Sequence, residues 1–557
     1  YGIWTSVGNA NNTLLVNPGG SVSAASGTAI YQSQGSLQVT NLGTVTGSYT
    51  LGSQGSFSNA ATGTLVTGAS ASAARTTNAG RLFVGPVGGF GHTTFGGDLV
   101  QTTSGTIILD ADFAGRRAGT VTVLGNATLS GHVMPTITSV LPNIALPVLT
   151  VGGALTGDVA GGASTLFGYG VQRAGQALLL SATSADFTPA GFALSANRTA
   201  VADHLQAIWG VGGVPALGPL FALLGNTADA GGAPAYSAQL RQLSPDAGIA
   251  PGARAAAAAT SFATAALSCP TFEGTTAMLV EGSCGWMRVT GRSTSQSGGG
   301  VADFKLDSTT WQVGGQTELA PGWLLGGSLA YETSWLASSD RLNKGNGQTG
   351  YGAVVLKYQT GPWLFAASAF GGGGQFNLSR IITLPGYASV AKGSPDIANV
   401  GMLLRAAYTI GQEDFYLRPN ITLSTIHVRT GAYREGGGGA LGLAIDGASQ
   451  TSVALTPMLE VGGRLALGSD MLLRPFLAAG FSLQSSGAWT QTGHLLSAPA
   501  GAAGFATTVP VPRVAGRVTA GAQLYTSRMV DLRLQYEGEY AGSVVSHAGS
   551  FVASVRF

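Results

Sequence analysis

From about Trp286 to Phe557 the chain alternates apolar and polar residues with a period of two, and the links between the alternating segments are tight and long by turns. This double pattern constrains the fold more than any other feature. In 530–540, Leu532, Leu534, Tyr536 and Tyr540 fall on one side, and Asp531, Arg533, Gln535, Glu537 and Glu539 on the other. Leu455, Leu459, Val461, Leu465 and Leu467 alternate with Glu460 and Arg464, and Met402, Leu404 and Tyr408 oppose Arg405. A period of two assigns each set to one face of a strand. That face would meet a core in a soluble sandwich and lipid in a membrane barrel, so alternation by itself leaves both open.

The links decide between them. Twelve strands are expected, near 285–295, 304–319, 323–335, 348–360, 363–376, 397–410, 415–430, 453–467, 471–483, 512–525, 530–540 and 546–557. Links after even strands are short: Ala320-Pro321-Gly322, Gly361-Pro362, 411–414, Gly468-Ser469-Asp470 and 526–529. Most after odd strands are long and rich in Gly, Ser or Asn, as in 337–347, 377–396, 431–452 and 484–511. Short turns on one rim and long loops on the other mark an outer-membrane barrel, and an even strand count returns both ends to the short-turn, periplasmic rim. No run of 18 apolar residues offers a transmembrane helix. Trp323, Trp363, Phe415 and Tyr416 stand beside the short turns, where an aromatic girdle belongs. On this reading 269–557 is a 12-stranded antiparallel transmembrane β-barrel, and outer-membrane lipid is its first partner.

With strand faces assigned, Arg288 and Arg292 share one side of the first strand. Together with Arg405, Arg418, Glu460, Arg464, Arg517, Arg533 and Glu537 they are expected to line the pore. A charge on the lipid face at the midplane would cost about 2–4 kcal/mol. The last residues place Phe551, Ala553, Val555 and Phe557 on one face with an aromatic terminus. Phe551, Val555 and Phe557 look like the signal read by the outer-membrane barrel assembly machinery; an ordinary last strand is the alternative.

Only 9% of residues are charged and the net charge is +2, which gives no case for a nucleic-acid partner. The two cysteines, Cys269 and Cys284, bracket the start of the barrel. In an exported chain a disulfide is the default, closing a loop of about 15 residues and contributing roughly 3 kcal/mol; two free thiols are the alternative. No cofactor or metal set and no catalytic motif stand out: Gly-x-Ser-x-Gly, Walker and His-Glu-x-x-His patterns are absent, and the six histidines are scattered. His92 reads as a solvent-facing residue and the Gly436–Gly439 run as a flexible loop. The opening Tyr1-Gly2-Ile3-Trp4 lacks a basic region and an apolar core, so the chain is read as a fragment or a mature product.

Upstream, residues 1–185 suggest coils of a right-handed parallel β-helix. Gly35-Ser36-Leu37 and Gly43-Thr44-Val45 recur as Gly55-Ser56-Phe57 and Gly63-Thr64-Leu65, with Gly20-Ser21-Val22 and Gly27-Thr28-Ala29 as a looser copy. A period near 20 suits a solenoid coil; a β-sandwich is the alternative. Residues 186–268 then turn helical. Ala200, Val201, Leu205, Ile208 and Trp209 fall at helix spacing, short helices are expected at 217–224 and 236–243, and an Ala-rich helix follows Leu243-Ser244-Pro245-Asp246-Ala247. A small soluble helical subdomain is the alternative for the earlier helices.

The motifs of 105–133 (Gly105-Thr106-Ile107-Ile108-Leu109-Asp110, Gly119-Thr120-Val121-Thr122-Val123, Leu129-Ser130-Gly131-His132-Val133), the Leu-Ser-Pro-Asp-Ala turn and the barrel together resemble the classical monomeric autotransporters of type V secretion. The resemblance runs from about residue 96 to the end. It implies that 96–185 is an autochaperone-like end of a β-helical passenger, that 250–268 sits inside the pore, and that periplasmic chaperones assist. It also implies a monomer in the outer membrane with its passenger outside the cell, probing a host or surface ligand as an adhesin. Ala is the best helix former and slender enough for a narrow lumen. Some members cut themselves in the pore at an Asn-Asn pair; the only such pair is Asn11-Asn12, and 250–268 holds no Asn. Two other readings remain open: an enzyme domain upstream of Tyr1, and a porin-like channel carrying an accessory domain.

Overall fold

The computed structural model describes residues 1–6, 11–267, 269–468, 471–526 and 529–557. Ser268, Ser469, Asp470, Ser527 and Arg528 of the expected pore helix and two expected turns lie outside the described residues, as does the side chain of Asn11. The chain forms two compact units. One comprises Tyr1–Leu194, Ala202–Gln239 and Ser497–Ala503; the other comprises Ser195–Val201, Leu240–Leu496 and Gly504–Phe557.

The first unit is a parallel β-solenoid. Short strands stack in register along its length: Val22, Val45, Leu65, Leu82, Ile107 and Val133 form one continuous inward ladder. β-branched and aliphatic residues fit such a pleated, half-buried surface, and each rung buries what its neighbour leaves open. A second ladder is polar. Buried Asn41 donates to Asn59 at 2.8 Å, Asn59 to Asn78 at 2.8 Å, and Asn78 to Gln101 at 3.3 Å, so the amides satisfy one another rung by rung.

The 20-residue spacing holds on one face, where Thr44 and Val45 pair with Thr64 and Leu65. It fails on the other, where Gln38 and Val39, rather than Ser36 and Leu37, oppose Ser56 and Phe57. Ser21-Val22 aligns with Thr44-Val45, so the earliest Gly-Ser-Val matches the second repeated motif and not the first. The solenoid ends in an antiparallel hairpin, Phe167–Ala174 with Ala177–Ala185, laid against Ala145–Val151. Phe167, Phe187, Trp209 and Phe221 then form one aromatic cluster at that end.

Among the described residues there are three α-helices: α1 (Ala196–Gly210), α2 (Gly218–Gln242) and α3 (Ala250–Ala265). The two short helices expected at 217–224 and 236–243 are one run, α2, broken only at Gly232, whose φ of 62° combined with ψ of −160° only glycine adopts easily. Within the first unit α2 caps the solenoid: Tyr236 donates to the Phe187 carbonyl at 2.7 Å and Asn226 to that of Ile137 at 3.3 Å.

The second unit is the barrel. Its strands are β1 (Cys284–Gln296), β2 (Phe304–Ala320), β3 (Trp323–Ser338), β4 (Asn343–Thr360), β5 (Trp363–Leu384), β6 (Asp396–Tyr408), β7 (Phe415–Thr430), β8 (Ala448–Gly463), β9 (Met471–Gln484), β10 (Val514–Thr526), β11 (Val530–Ala541) and β12 (Val544–Arg556). Every neighbour is antiparallel, and pairing of β1 with β12 closes the ring. Met402, Leu404, Leu532 and Leu534 are exposed on the outside, as a lipid-facing band requires. Among the described residues no helix is long and apolar enough to cross a membrane; the strands do so.

Three long links are not plain loops. The 377–396 link is an extension of β5 that folds back as Tyr387–Gly393. Segments of 431–452 and 484–511 make a separate four-stranded sheet from Tyr433–Arg434, Leu443–Ile445, Ala488–Leu495 and Phe505–Pro510. Buried Arg380 joins the β5 extension to the 431–452 segment: it is paired with the Glu435 carboxylate and donates to the Leu441 carbonyl at 2.9 Å. The Gly436–Gly439 run, expected as a flexible loop, is held at Gly436 by two backbone hydrogen bonds of 2.8 Å with Lys392, a pairing between residues distant in sequence.

Candidate functional site: the barrel lumen

α3 lies inside the barrel. Its Ala253, Ala259 and Ala263 pack with Phe262 against the inner wall residues Val355, Ala366, Phe370, Leu403 and Ile426. Phe262 stacks on Tyr351 with ring centroids 5.1 Å apart. Small side chains let the helix backbone approach the wall closely, and Gly252 at its start sits where a Cβ would lie 2.8 Å from Trp489 of the surface sheet. The other side of α3 is polar. Gln312 donates to the Phe262 carbonyl at 3.2 Å and Arg292 to the Ser261 hydroxyl at 3.0 Å. Arg254 is hydrogen-bonded to Gln296.

Below that polar side lies a water-accessible cavity of about 190 Å³. Arg288, Arg292, Arg405, Arg418, Glu460, Arg517, Arg533 and Glu537 all line it. Arg464 does not: it stacks over the Phe272 ring at 5.9 Å, near the short-turn rim. Within the cavity wall Arg292 pairs with Glu537 at 3.2 Å, Arg517 with Glu539 at 2.8 Å and Arg474 with Glu460 at 2.7 Å. Arg474 was not singled out from the sequence, and Glu539 was named on the polar side of 530–540 but not among the pore-lining residues; both share the parity of the inward residues on their strands.

The floor of the cavity is a short hairpin, Pro270–Phe272 with Leu279–Glu281. Its Glu281 reaches Lys357 of β4 at 2.6 Å, both almost fully buried. Tyr525 donates to the Pro270 carbonyl at 3.0 Å, and Ala277 and Leu279 pack on Tyr416. Tyr416 therefore leaves the expected girdle and faces inward, donating to Glu460 at 2.6 Å. The reason is parity: Phe415 beside it faces lipid, so its neighbour must face the lumen. Trp323 and Trp363 are outside, near Tyr358 and Tyr408 respectively. Cys269 and Cys284 are joined, tying the hairpin to the start of β1. On β12, Phe551 and Val555 point outward among the exposed apolar residues, with Phe557 beyond the strand end.

A closed antiparallel barrel with an apolar exterior, short turns on one rim and a helix in its lumen is an outer-membrane translocator in form. Residues 285–537 match the family described as Autotransporter beta-domain. Solved structures similar to the chain include the translocator domain of the autotransporter NalP from Neisseria meningitidis (14% identity, 56% of this chain and 99% of that one, TM-score 0.44). Others are the β-domain of the Bordetella autotransporter BrkA (15%, 50% and 100%, 0.37) and the transport unit of AIDA-I from Escherichia coli (13%, 55% and 98%, 0.38). No curated protein sequence matches the chain. The chain is an autotransporter translocation unit of the outer membrane carrying a β-helical passenger portion for the cell surface.

Proposed function

We propose that the passenger portion acts by surface contact, as an adhesin does, and not by catalysis. Regular rows of exposed hydroxyls on the solenoid support this reading: Thr122 and Thr150 are 3.4 Å apart, Thr128 and Thr156 3.0 Å, and His92 meets Thr120 at 2.8 Å. Such flat, repetitive edges suit multivalent contact with an extended ligand. On this reading 1–185 is the passenger end, with 96–185 as its folding nucleus, 186–268 the linker with its pore helix, and 269–557 the translocator. Of the lumen charges Arg292 holds the helix through Ser261, the Cys269–Cys284 bond anchors its exit, and Phe551, Val555 and Phe557 engage the assembly machinery. Periplasmic chaperones would deliver the chain.

The observation that carries the export reading is α3: an Ala-rich helix in the lumen of a closed barrel, following a solenoid in sequence. A porin would need that lumen open. The test is to express residues 1–557 behind a signal peptide in a Gram-negative host and treat intact cells with protease. Loss of epitopes within 1–185 with a surviving barrel fragment is expected; full protection despite an inserted barrel would overturn the reading. Binding of such cells to a protein-coated surface, lost after protease treatment, checks the adhesive role.

A further inference from the structure

The charges in the cavity beneath α3 do not balance. Seven arginines and four glutamates line it. Three of those glutamates are taken by Arg292, Arg474 and Arg517, and the fourth, Glu281, by Lys357. Of the other four arginines, Arg533 is not counted as free, and Arg288, Arg405 and Arg418 form no ion pair with a carboxylate within 4 Å among the described residues. Arg405 donates to the Thr422 hydroxyl at 3.0 Å. Arg288 and Arg418 make no hydrogen bond at all there, and the Nε of each is buried and unpartnered. Arg288 is only 5% exposed, yet its side chain forms part of the cavity wall.

Isolated buried cations are strongly disfavoured, and arginine does not escape by losing its proton. The chamber is bounded by α3 and by the 270–281 hairpin, so bulk water screens these groups weakly. A guanidinium presents a planar fork of donors that matches oxyanion geometry, whereas a lone halide satisfies only part of it. We propose that the chamber is a binding site for a small tetrahedral oxyanion, phosphate or sulfate, with Arg288, Arg405 and Arg418 as its cationic donors. Bound there, the anion serves as counter-charge for the plugged barrel. The cavity volume of about 190 Å³ admits such an ion with several waters. The site stands on the lumen alone and is independent of whether the solenoid reaches the cell surface.

The test is equilibrium dialysis of radiolabelled inorganic phosphate against the full chain, folded in a phosphate-free detergent. Saturable binding is expected, displaced by sulfate but not by the same concentration of chloride. The double variant Arg288→Gln/Arg418→Gln should weaken it at least tenfold, while Arg173→Gln on the solenoid leaves it unchanged. Heat-modifiable gel mobility reports whether each variant barrel is folded. If the double variant misfolds, Arg288→Gln or Arg418→Gln singly should still weaken binding. No binding, binding equal in a folded variant, or displacement by chloride as readily as by sulfate would each overturn the proposal.

Discussion

Asp246 occupies the turn that leads into α3, almost fully buried, with its Oδ1 accepting from the Ala302 amide at 2.9 Å. Burial pushes its carboxyl up to about 6, against the pull of that amide and of Arg241 and Arg198 and with the help of Asp340. The folded state thus holds this proton more tightly than the unfolded chain does. Its contribution to stability is full below about pH 4 and lost as pH rises through 6. Asp246→Asn keeps the acceptor and tolerates the φ of 46° found here. The variant should match the parent at pH 4 and exceed it by about 3 kcal/mol at pH 7.5, measured as the difference in denaturation midpoint. Equal stabilities at both pH values would refute the assignment. Single residues were legible where parity alone decides, as for Arg288 and Glu537. Parity also places Tyr416 and Lys357 in the lumen, but aromatic character drew the first to the girdle, and only three-dimensional pairing with Glu281 singles out the second.

At the scale of elements, the twelve barrel strands follow from alternation and turn chemistry because both are local. The hairpins hidden in 377–396, 431–452 and 484–511 do not, since they meet across separate links, Arg380 with Glu435 and Leu443 with Leu495. α3 was legible as a helix from its alanines, but the wall it packs on was not. That packing is tight at Ala259, which is fully buried. Ala259→Trp forces a large ring into the interface, at about 1–3 kcal/mol or more for overpacking. The helix should be displaced, raising single-channel conductance in planar bilayers several-fold toward that of a chain lacking 250–267. Conductance no higher than in the parent, from a barrel shown to be folded, would mean that α3 does not seal the lumen.

For the whole molecule the question is how one chain moves its own passenger outward, and the solenoid's ladder suggests where the free energy comes from. Each rung is stabilised by its neighbours, so folding that begins at the barrel-proximal end can template successive rungs toward the N-terminus. Val133 and Val45 are buried in the same ladder: counted along Val22, Val45, Leu65, Leu82, Ile107 and Val133, Val133 is the last rung and Val45 lies one step from Val22 and four from Val133. A charge at either buries an unpaired carboxylate of similar local cost. Position alone should then separate their effects. Val133→Asp removes the rung from which folding spreads, so surface display of an N-terminal epitope on intact cells should fall about tenfold. Val45→Asp leaves the rungs from Leu65 onward able to fold, and display should fall by no more than about twofold. Equal losses would show that the solenoid folds without a preferred end and that ladder growth does not drive export. A greater loss with Val45→Asp would reverse the direction of templating and place the nucleus at the N-terminal coils.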